Sequence, residues 1–383
     1  MQVPFKEPIY VTRPMLAALE DYMPYFKEIW DSRILTNGAA KHEALELALA
    51  KTLEVPNLKL FNNGTIALLV ALRALDITGE VITTPFTFPA TPHSLAWNGI
   101  TPVFCDIDAD TMCIDPAKIE ALITEKTTAI MGVHVYGMPC DVDRIQKIAD
   151  KHKLKVIYDA AHAFKTTVRG NGIGNFGDIS MFSFHATKLF HTLEGGALTF
   201  ADSALAKKVD MLKNFGLQNP IDVSLVGING KMNELQAAVG LVNLKLVEEE
   251  RRKRAAIRVA YAKGLSGIKG IGLFKIPENV TDSLQYIVIR VGTEYGITSN
   301  ELQKAFNAYN VFPRRYFYPL CTDYPCYNHL PPRHVNTARQ AAEEVLCLPL
   351  YGALTLSDVE CITDMIRFHA SAKSSVSAKA EAI

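Results

Sequence analysis

The sequence predicts an α/β protein with a mostly parallel sheet, joined to a second, smaller α+β unit. Between residues 65 and 200, short apolar runs that read as buried strands alternate with helix-length segments, the pattern of a parallel sheet covered on both faces. Beyond about residue 264 this alternation gives way to a β-rich run, short helices and proline-rich connections. The chain has 383 residues, enough for one large core and a smaller one.

In order along the chain, residues 12–54 read as mainly helical, with an amphipathic run at 39–53. Residues 65–75 read as a helix, 80–83 as a short buried strand, 89–97 as a helix and 102–105 as a strand. Asp115-Pro116 places a capping residue before a proline at the first helical position, which opens a helix to 123. A strand is expected at 128–133, a helix capped by Asp141 to about 152, and a strand at 155–158. Residues 178–184 and 196–200 add two further strands. A long helical stretch at 233–263 carries a charge run, 248–254, expected on a solvated face. Residues 285–291 read as β-rich, and 299–309, 337–344 and 357–367 as helices. The expected division is 1–263 for N-terminal helices and a large domain, 264–370 for a small domain, and 371–383 for a flexible tail rich in Ser, Ala and Lys.

Composition narrows the function classes. Forty basic residues balance forty acidic ones, so there is no basic excess of the kind that nucleic-acid binding shows, although a local cluster could still hold a small anion. The seven cysteines are odd in number and contain no Cys-x-x-Cys pair, which argues against a disulfide framework or a zinc knuckle. No H-e-x-x-H zinc motif and no phosphate-binding Walker motif occurs, and no metal is expected. The opening Met1-Gln2-Val3-Pro4-Phe5-Lys6 has no charged region followed by an apolar stretch, and no apolar run approaches the ~18 residues of a membrane span. The expectation is a soluble cytoplasmic protein with no membrane or nucleic-acid partner.

Three residues carry the chemistry. Asp159 follows Val156-Ile157-Tyr158 and so sits at the carboxyl end of a buried strand, where open α/β sheets place their ligands. Lys188 lies in Ser183-Phe184-His185-Ala186-Thr187-Lys188, a segment otherwise small or apolar, where an unpartnered ammonium is costly to bury. An amine that forms a Schiff base, a carboxylate that keeps a pyridine nitrogen protonated and a hydroxyl, Ser183, that binds phosphate are together what holds pyridoxal 5′-phosphate (PLP). Taken singly, each has an ordinary alternative: a loop aspartate, an exposed loop lysine, a strand serine bonded to backbone.

Asn62-Asn63-Gly64-Thr65 turns straight into an apolar helix, whose first amides and Thr hydroxyl suit a phosphate, though a well-capped helix looks the same. Phe88, in Pro85-Phe86-Thr87-Phe88-Pro89, could stack on a flat ring or simply belong to the core. Gly172-Ile173-Gly174-Asn175-Phe176-Gly177 has the spacing of a dinucleotide fingerprint but precedes a strand instead of following one, and is expected to be a flexible loop.

These segments in order resemble the sugar-nucleotide aminotransferases of the DegT/DnrJ/StrS type, which are fold-type-I PLP enzymes. The likeness runs from Thr36-Asn37-Gly38 through 63–65, 85–91, 134–137, 159–164, 183–188, 194–196 and 227–237 to Leu348-Pro349-Leu350. It implies an aspartate-aminotransferase-like fold, with a mostly parallel seven-stranded sheet in the large domain. It further implies that Lys188 anchors PLP and Asp159 pairs with its ring nitrogen. His162 would then lie near the phenolic oxygen, Phe88 on the ring, and Gly64, Thr65 and Ser183 at the phosphate. Asn229 would reach the phosphate in the neighbouring subunit, making a homodimer with shared active sites. Lys165 departs from the pattern, which has glycine after Ala-His-Ala-Phe, and places a charge near the site entrance.

The finer resemblance is to enzymes that aminate C4 of dTDP-4-keto-6-deoxy-D-glucose with L-glutamate as donor, supplying surface polysaccharide such as O-antigen. The subgroup that aminates C3 is the near alternative. Lys231, Arg314, Arg315, Tyr316 and Tyr318 are the expected substrate contacts, the arginines and tyrosines suiting a diphosphate and a pyrimidine or, equally, a charged aromatic surface. PLP-dependent sugar dehydratases carry histidine where Lys188 stands, and a non-catalytic PLP-binding regulator is the alternative outside enzymes.

Overall fold

The computed structural model describes residues 5–331 and 334–380, the side chains of 371–380 excepted. Seven strands form the central sheet, in the spatial order Asn57–Phe61, Gly196–Phe200, Ile179–Ser183, Lys155–Asp159, Thr127–Val133, Glu80–Thr83, Thr101–Phe104. Neighbours run parallel except at Gly196–Phe200, which is antiparallel to both its partners. The alternation of side chains along each strand feeds two cores. Val81, Ala129, Met131, Ile157, Met181 and Leu198 pack on one face with the helices Gly64–Ala74 and Ala204–Leu212. Ile82, Ile130, Val156, Phe182 and Ala197 pack on the other, with Leu45 and Leu49 of the helix Ala40–Leu53 and Ile145 of the helix Val142–His152.

A separate core gathers around the antiparallel strands Ile271–Leu273, Ile287–Val291 and Val345–Leu348. It takes Ile257 and Tyr261 from the helix Val247–Leu265, Leu302 and Phe306 from Ser299–Asn307, and Ile362 and Ile366 from Leu356–Ala380. Ile9 joins this core too, because Ile9–Tyr10 pairs with Val311–Phe312. The expected tail, 371–383, overlaps the end of the last helix, and its side chains and residues 381–383 lie outside the described residues. So do residues 1–4, on which the reading of the opening segment rests.

Four local expectations are corrected. The strand Asn57–Phe61 and the helix Ala204–Leu212 were not anticipated; the strand is a sheet edge whose apolar run is interrupted by Asn57 and Lys59. The 233–263 stretch is two helices, Glu234–Leu244 and Val247–Leu265, the second of which starts after Lys245 and Leu246. Its charge run is not a wholly solvated face. Glu250 and Arg254, one turn apart, share the inward face with Ile257 and Tyr261, and Arg254 is only 1% exposed. Glu250 Oε1 accepts from Arg254 Nε at 2.7 Å and from Gly352 N at 2.8 Å. The 172–177 loop is packed tightly: a Cβ at Gly172 would meet Leu53 O at 2.5 Å, and one at Gly174 would meet Thr199 Oγ1 at 2.8 Å.

Candidate active site

Asp159 ends its strand beneath the helix Ala90–Trp97 and is 5% exposed. Its Oδ2 accepts from Thr91 Oγ1 at 2.8 Å and its Oδ1 from Ala161 N at 3.1 Å; Thr91 is bonded in turn to Thr87 Oγ1 at 2.8 Å. Burial pushes the Asp159 carboxyl above the usual carboxylate range, while the Thr91 and Ala161 hydrogen bonds and the positive charge of Lys188 pull it back. Lys188 sits on the hairpin loop between Ile179–Ser183 and Gly196–Phe200, in a turn closed by Lys188 N donating to His185 O at 2.9 Å. Burial lowers its ammonium pKa to about 8 against the attraction of Asp159. No hydrogen bond or ion pair among the described residues engages its Nζ. The sheet therefore brings together an acid and an amine more than twenty residues apart in sequence, and each perturbs the other.

Ser183 lies at the end of the neighbouring strand, against the start of the helix Gly64–Ala74. A Cβ at Gly64 would stand 3.3 Å from Ser183 Cβ and 3.1 Å from Met181 Sδ, so the helix approaches this closely because residue 64 is glycine. Gly196 does the same from the next strand, where a Cβ would lie 2.8 Å from the Asn63 carbonyl carbon and from Gly64 N and Cα. Asn63 caps the helix, accepting from Ile66 N at 2.8 Å, and Thr65 is exposed in its first turn. Ser183, Thr65 and the leading amides of this helix thus form a hydroxyl-and-amide cradle of the kind that holds phosphate.

His162 is buried beside this group. Its Nδ1 accepts from Tyr136 N at 3.3 Å, its ring lies parallel to Phe317 at 5.9 Å, and Tyr286 meets it edge-on at 5.0 Å. Burial, then the charge of Lys188, holds its pKa well below the ordinary value, so the imidazole is neutral. Phe88, between Thr87 and the helix that carries Thr91, is 58% exposed instead of joining the core.

The remaining expected residues are placed elsewhere. Lys231 Nζ donates to Asn229 Oδ1 at 2.9 Å and Asn214 Oδ1 at 2.8 Å, above the Phe215 ring. No hydrogen bond, ion pair or ring contact among the described residues ties Asn229 or Lys231 to Lys188. Arg314 is exposed, 6.0 Å from the Tyr316 ring centroid, and Tyr316 meets Tyr286 edge-on at 5.6 Å. Arg315 is engaged within the chain: it lies 3.8 Å over the half-exposed Tyr318 ring and donates to Ala342 O at 3.1 Å and Glu343 Oε2 at 2.8 Å. Lys165 reaches Glu248 at 3.6 Å and Thr52 O at 3.4 Å, and its φ of 63° is the left-handed conformation that favours glycine.

Thr91, Tyr136, Tyr286, Phe317 and Gln285 were not singled out from the sequence. Thr91 and Tyr136 lie inside motifs that were noted, 85–91 and 134–137, but nothing in their spacing gives their partners. Tyr286 and Phe317 reach His162 only through tertiary packing.

The donor set fits PLP: an amine with no hydrogen bond or ion pair among the described residues stands beside a buried acid, next to hydroxyls and helix amides that could hold a phosphate. Residues 18–367 match the model of the DegT/DnrJ/EryC1/StrS aminotransferase family. The chain is 43% identical to dTDP-4-amino-4,6-dideoxy-D-glucose transaminase of Shigella dysenteriae, over 94% of this chain and 99% of that protein. It is 42% identical to the Escherichia coli enzyme of the same name, over 94% and 98%. Among solved structures it resembles DesI in the presence of its TDP-sugar product, with a TM-score of 0.94, 33% identity and coverage of 99% of this chain and 97% of that one. Helicobacter pylori PseC, an aminotransferase of pseudoaminic acid biosynthesis, aligns with a TM-score of 0.89 at 27% identity, over 96% and 100%. Fold and relatives agree, and the chain belongs to the DegT/DnrJ/EryC1/StrS aminotransferase family.

Proposed function

We propose that this protein is a PLP-dependent transaminase that moves the amino group of L-glutamate to C4 of dTDP-4-keto-6-deoxy-D-glucose, giving dTDP-4-amino-4,6-dideoxy-D-glucose for a surface polysaccharide such as O-antigen. The observation that carries the reaction class is the convergence of Lys188 and Asp159 beside the Gly64–Ser183 contact. The names of the two relatives above 40% identity support the sugar and the position of the nitrogen.

When bound, the cofactor supplies an electron sink that stabilises negative charge on the carbon attached to the transferred nitrogen. Lys188 Nζ is the covalent anchor and the proton carrier: with a pKa near 8 it can be uncharged close to neutral pH, take up a proton and give it back. Asp159, oriented by Thr91 and Ala161, would be ionised against a ring N–H⁺ and would hold that proton in place through a charge-assisted bond. Ser183, Thr65 and the first amides of the helix Gly64–Ala74 would bind the phosphate. Neutral His162, fixed by Tyr136 N and the Phe317 ring, would face the phenolic oxygen, and exposed Phe88 would cover the ring.

The working unit is a homodimer with sites completed across the interface by Asn229, and it resides in the cytoplasm. Ile221 (96% exposed) and Val226 (93%) lie beside the strand pair Leu217–Asn219 and Asp222–Val223, near Asn229, and offer apolar surface for a second copy. Lys231, Arg314, Tyr316 and Tyr318 are the candidate contacts for the nucleotide sugar. Incubation with dTDP-4-keto-6-deoxyglucose and glutamate, followed by NMR of the product, tests the assignment. Nitrogen on C4 is expected; nitrogen on C3 would move the enzyme to the other subgroup, and no aminated sugar would overturn the substrate.

A further inference from the structure

The turn that carries Lys188 is incompletely bonded by its own backbone. Lys188 N donates to His185 O, and Thr187 N donates to His185 Nδ1 at 3.2 Å. The carbonyl just before Lys188 and the amide just after it are both taken by one side chain from a distant part of the chain. Gln285 Nε2 donates to Thr187 O at 3.0 Å, and Gln285 Oε1 accepts from Leu189 N at 2.6 Å. A primary amide is the side chain that offers one donor and one acceptor at this fixed separation, and this orientation is the one that satisfies both backbone groups. Gln285 is itself 2% exposed, its backbone N donates to buried Ser283 Oγ at 3.2 Å, and Arg254 Nη1 donates to the preceding carbonyl of Leu284 at 3.3 Å. The next residue, Tyr286, is the ring that meets His162 edge-on.

We propose that Gln285 is a positioning residue for transamination: its amide clamps the backbone on both sides of Lys188 and so holds the amine where it must attach the cofactor and carry the proton. The inference rests on the functional reading above. It makes the segment just ahead of the strand Ile287–Val291 part of the active-site framework, although it lies almost a hundred residues beyond the lysine and touches no reacting atom. Among the described residues the charges that act with Lys188 are those of Asp159 and His162, and no hydrogen bond, ion pair or ring contact ties either to Gln285, so an uncharged replacement of Gln285 acts through the turn.

The test uses Gln285→Met and Gln285→Glu in the full-length protein. Methionine keeps the volume without either bond; glutamate keeps the acceptor for Leu189 N and loses the donor to Thr187 O. In the holoenzyme both variants should lose kcat, Gln285→Met by about 100-fold as expected for a misplacement on the scale of 1 Å, while KM for glutamate and for the keto sugar changes less than about threefold. In cofactor-free protein, competitive acetylation across a pH series should place the Lys188 midpoint near 8 in the wild type. It should rise by about one pH unit or more in Gln285→Met, as the released amine reaches water. Wild-type kcat and an unmoved midpoint in either folded variant overturn the clamp. If Gln285→Met fails to fold, Gln285→Glu decides by kcat, because its added carboxylate by itself raises the Lys188 midpoint. A wild type that aminates no keto sugar sinks the functional reading instead, and the acetylation midpoints still judge the clamp.

Discussion

Replacing Lys188 with methionine should abolish turnover and at the same time stabilise the cofactor-free protein. The amine has a pKa of about 8 in the folded chain against an ordinary 10.5. A base whose pKa is depressed on folding contributes stability above its unfolded pKa and loses it as pH falls through the folded value. The difference between the two values corresponds to about 3 kcal/mol at about 1.4 kcal/mol per pH unit, and the attraction of Asp159 is already contained in it. At pH 7 nearly all of that cost is present, so Lys188→Met should gain about 3 kcal/mol; at pH 9 the gain falls to about 2, and near pH 10.5 to less than about 0.5 kcal/mol. Equilibrium urea unfolding of both cofactor-free proteins at these three pH values measures it. A variant no more stable than the wild type at pH 7, or a gain that does not shrink as pH rises, would refute desolvation of the Lys188 ammonium as its cause. The wild type carrying cofactor should close the gap, because anchoring removes the ammonium from the apolar site.

Three further outcomes follow from the geometry. Thr91→Val deletes the hydroxyl donor to buried Asp159 Oδ2; a hydrogen bond to a charged group is worth ~1.5–3 kcal/mol, so cofactor affinity by fluorescence titration should fall roughly 10- to 100-fold, and unchanged affinity would discount Thr91. Gly196→Ala drives a methyl group into backbone at 2.8 Å, and should displace the 63–64 loop at a cost of about 1–3 kcal/mol, seen as a lower Tm together with weaker retention of PLP phosphate. Retention equal to wild type would show that the loop yields without harming the cradle. Glu250→Ala strands the Arg254 cation and the Gly352 amide in the interior and should destabilise by about 3–5 kcal/mol, most of it recovered in Glu250→Ala/Arg254→Met; a deficit that the double variant does not recover would assign the loss to helix packing.

Much of the central sheet was legible because its strands are short apolar runs flanked by capped helices: Asp115 and Asp141 do cap, accepting from Ala117 N and Arg144 N. The edge strand Asn57–Phe61 was not, since Asn57 and Lys59 interrupt its apolar run, whereas the strands that were legible are continuous apolar runs. The charge run at 248–254 misled because composition hides direction; only helical phase puts Glu250 and Arg254 inward, and their burial depends on mutual pairing and on the Gly352 amide. At the site, Asp159 and Lys188 could be read from strand ends and from a lysine in apolar surroundings. Thr91, Phe317 and Gln285 could not, because their roles exist only once distant segments are packed. Arg315 is among the expected substrate contacts, and residue type alone gives no sign of the partners its guanidinium takes within the chain, Ala342 O, Glu343 and the Tyr318 ring.

The most direct test is chemical. The purified enzyme is reduced with borohydride in the presence of PLP, digested, and its peptides are sequenced by mass spectrometry. A single pyridoxyl group on the Nζ at position 188, lost in Lys188→Met and greatly diminished in Asp159→Ala, is the result predicted. A label on any other lysine, or none at all, would contradict the account at its root.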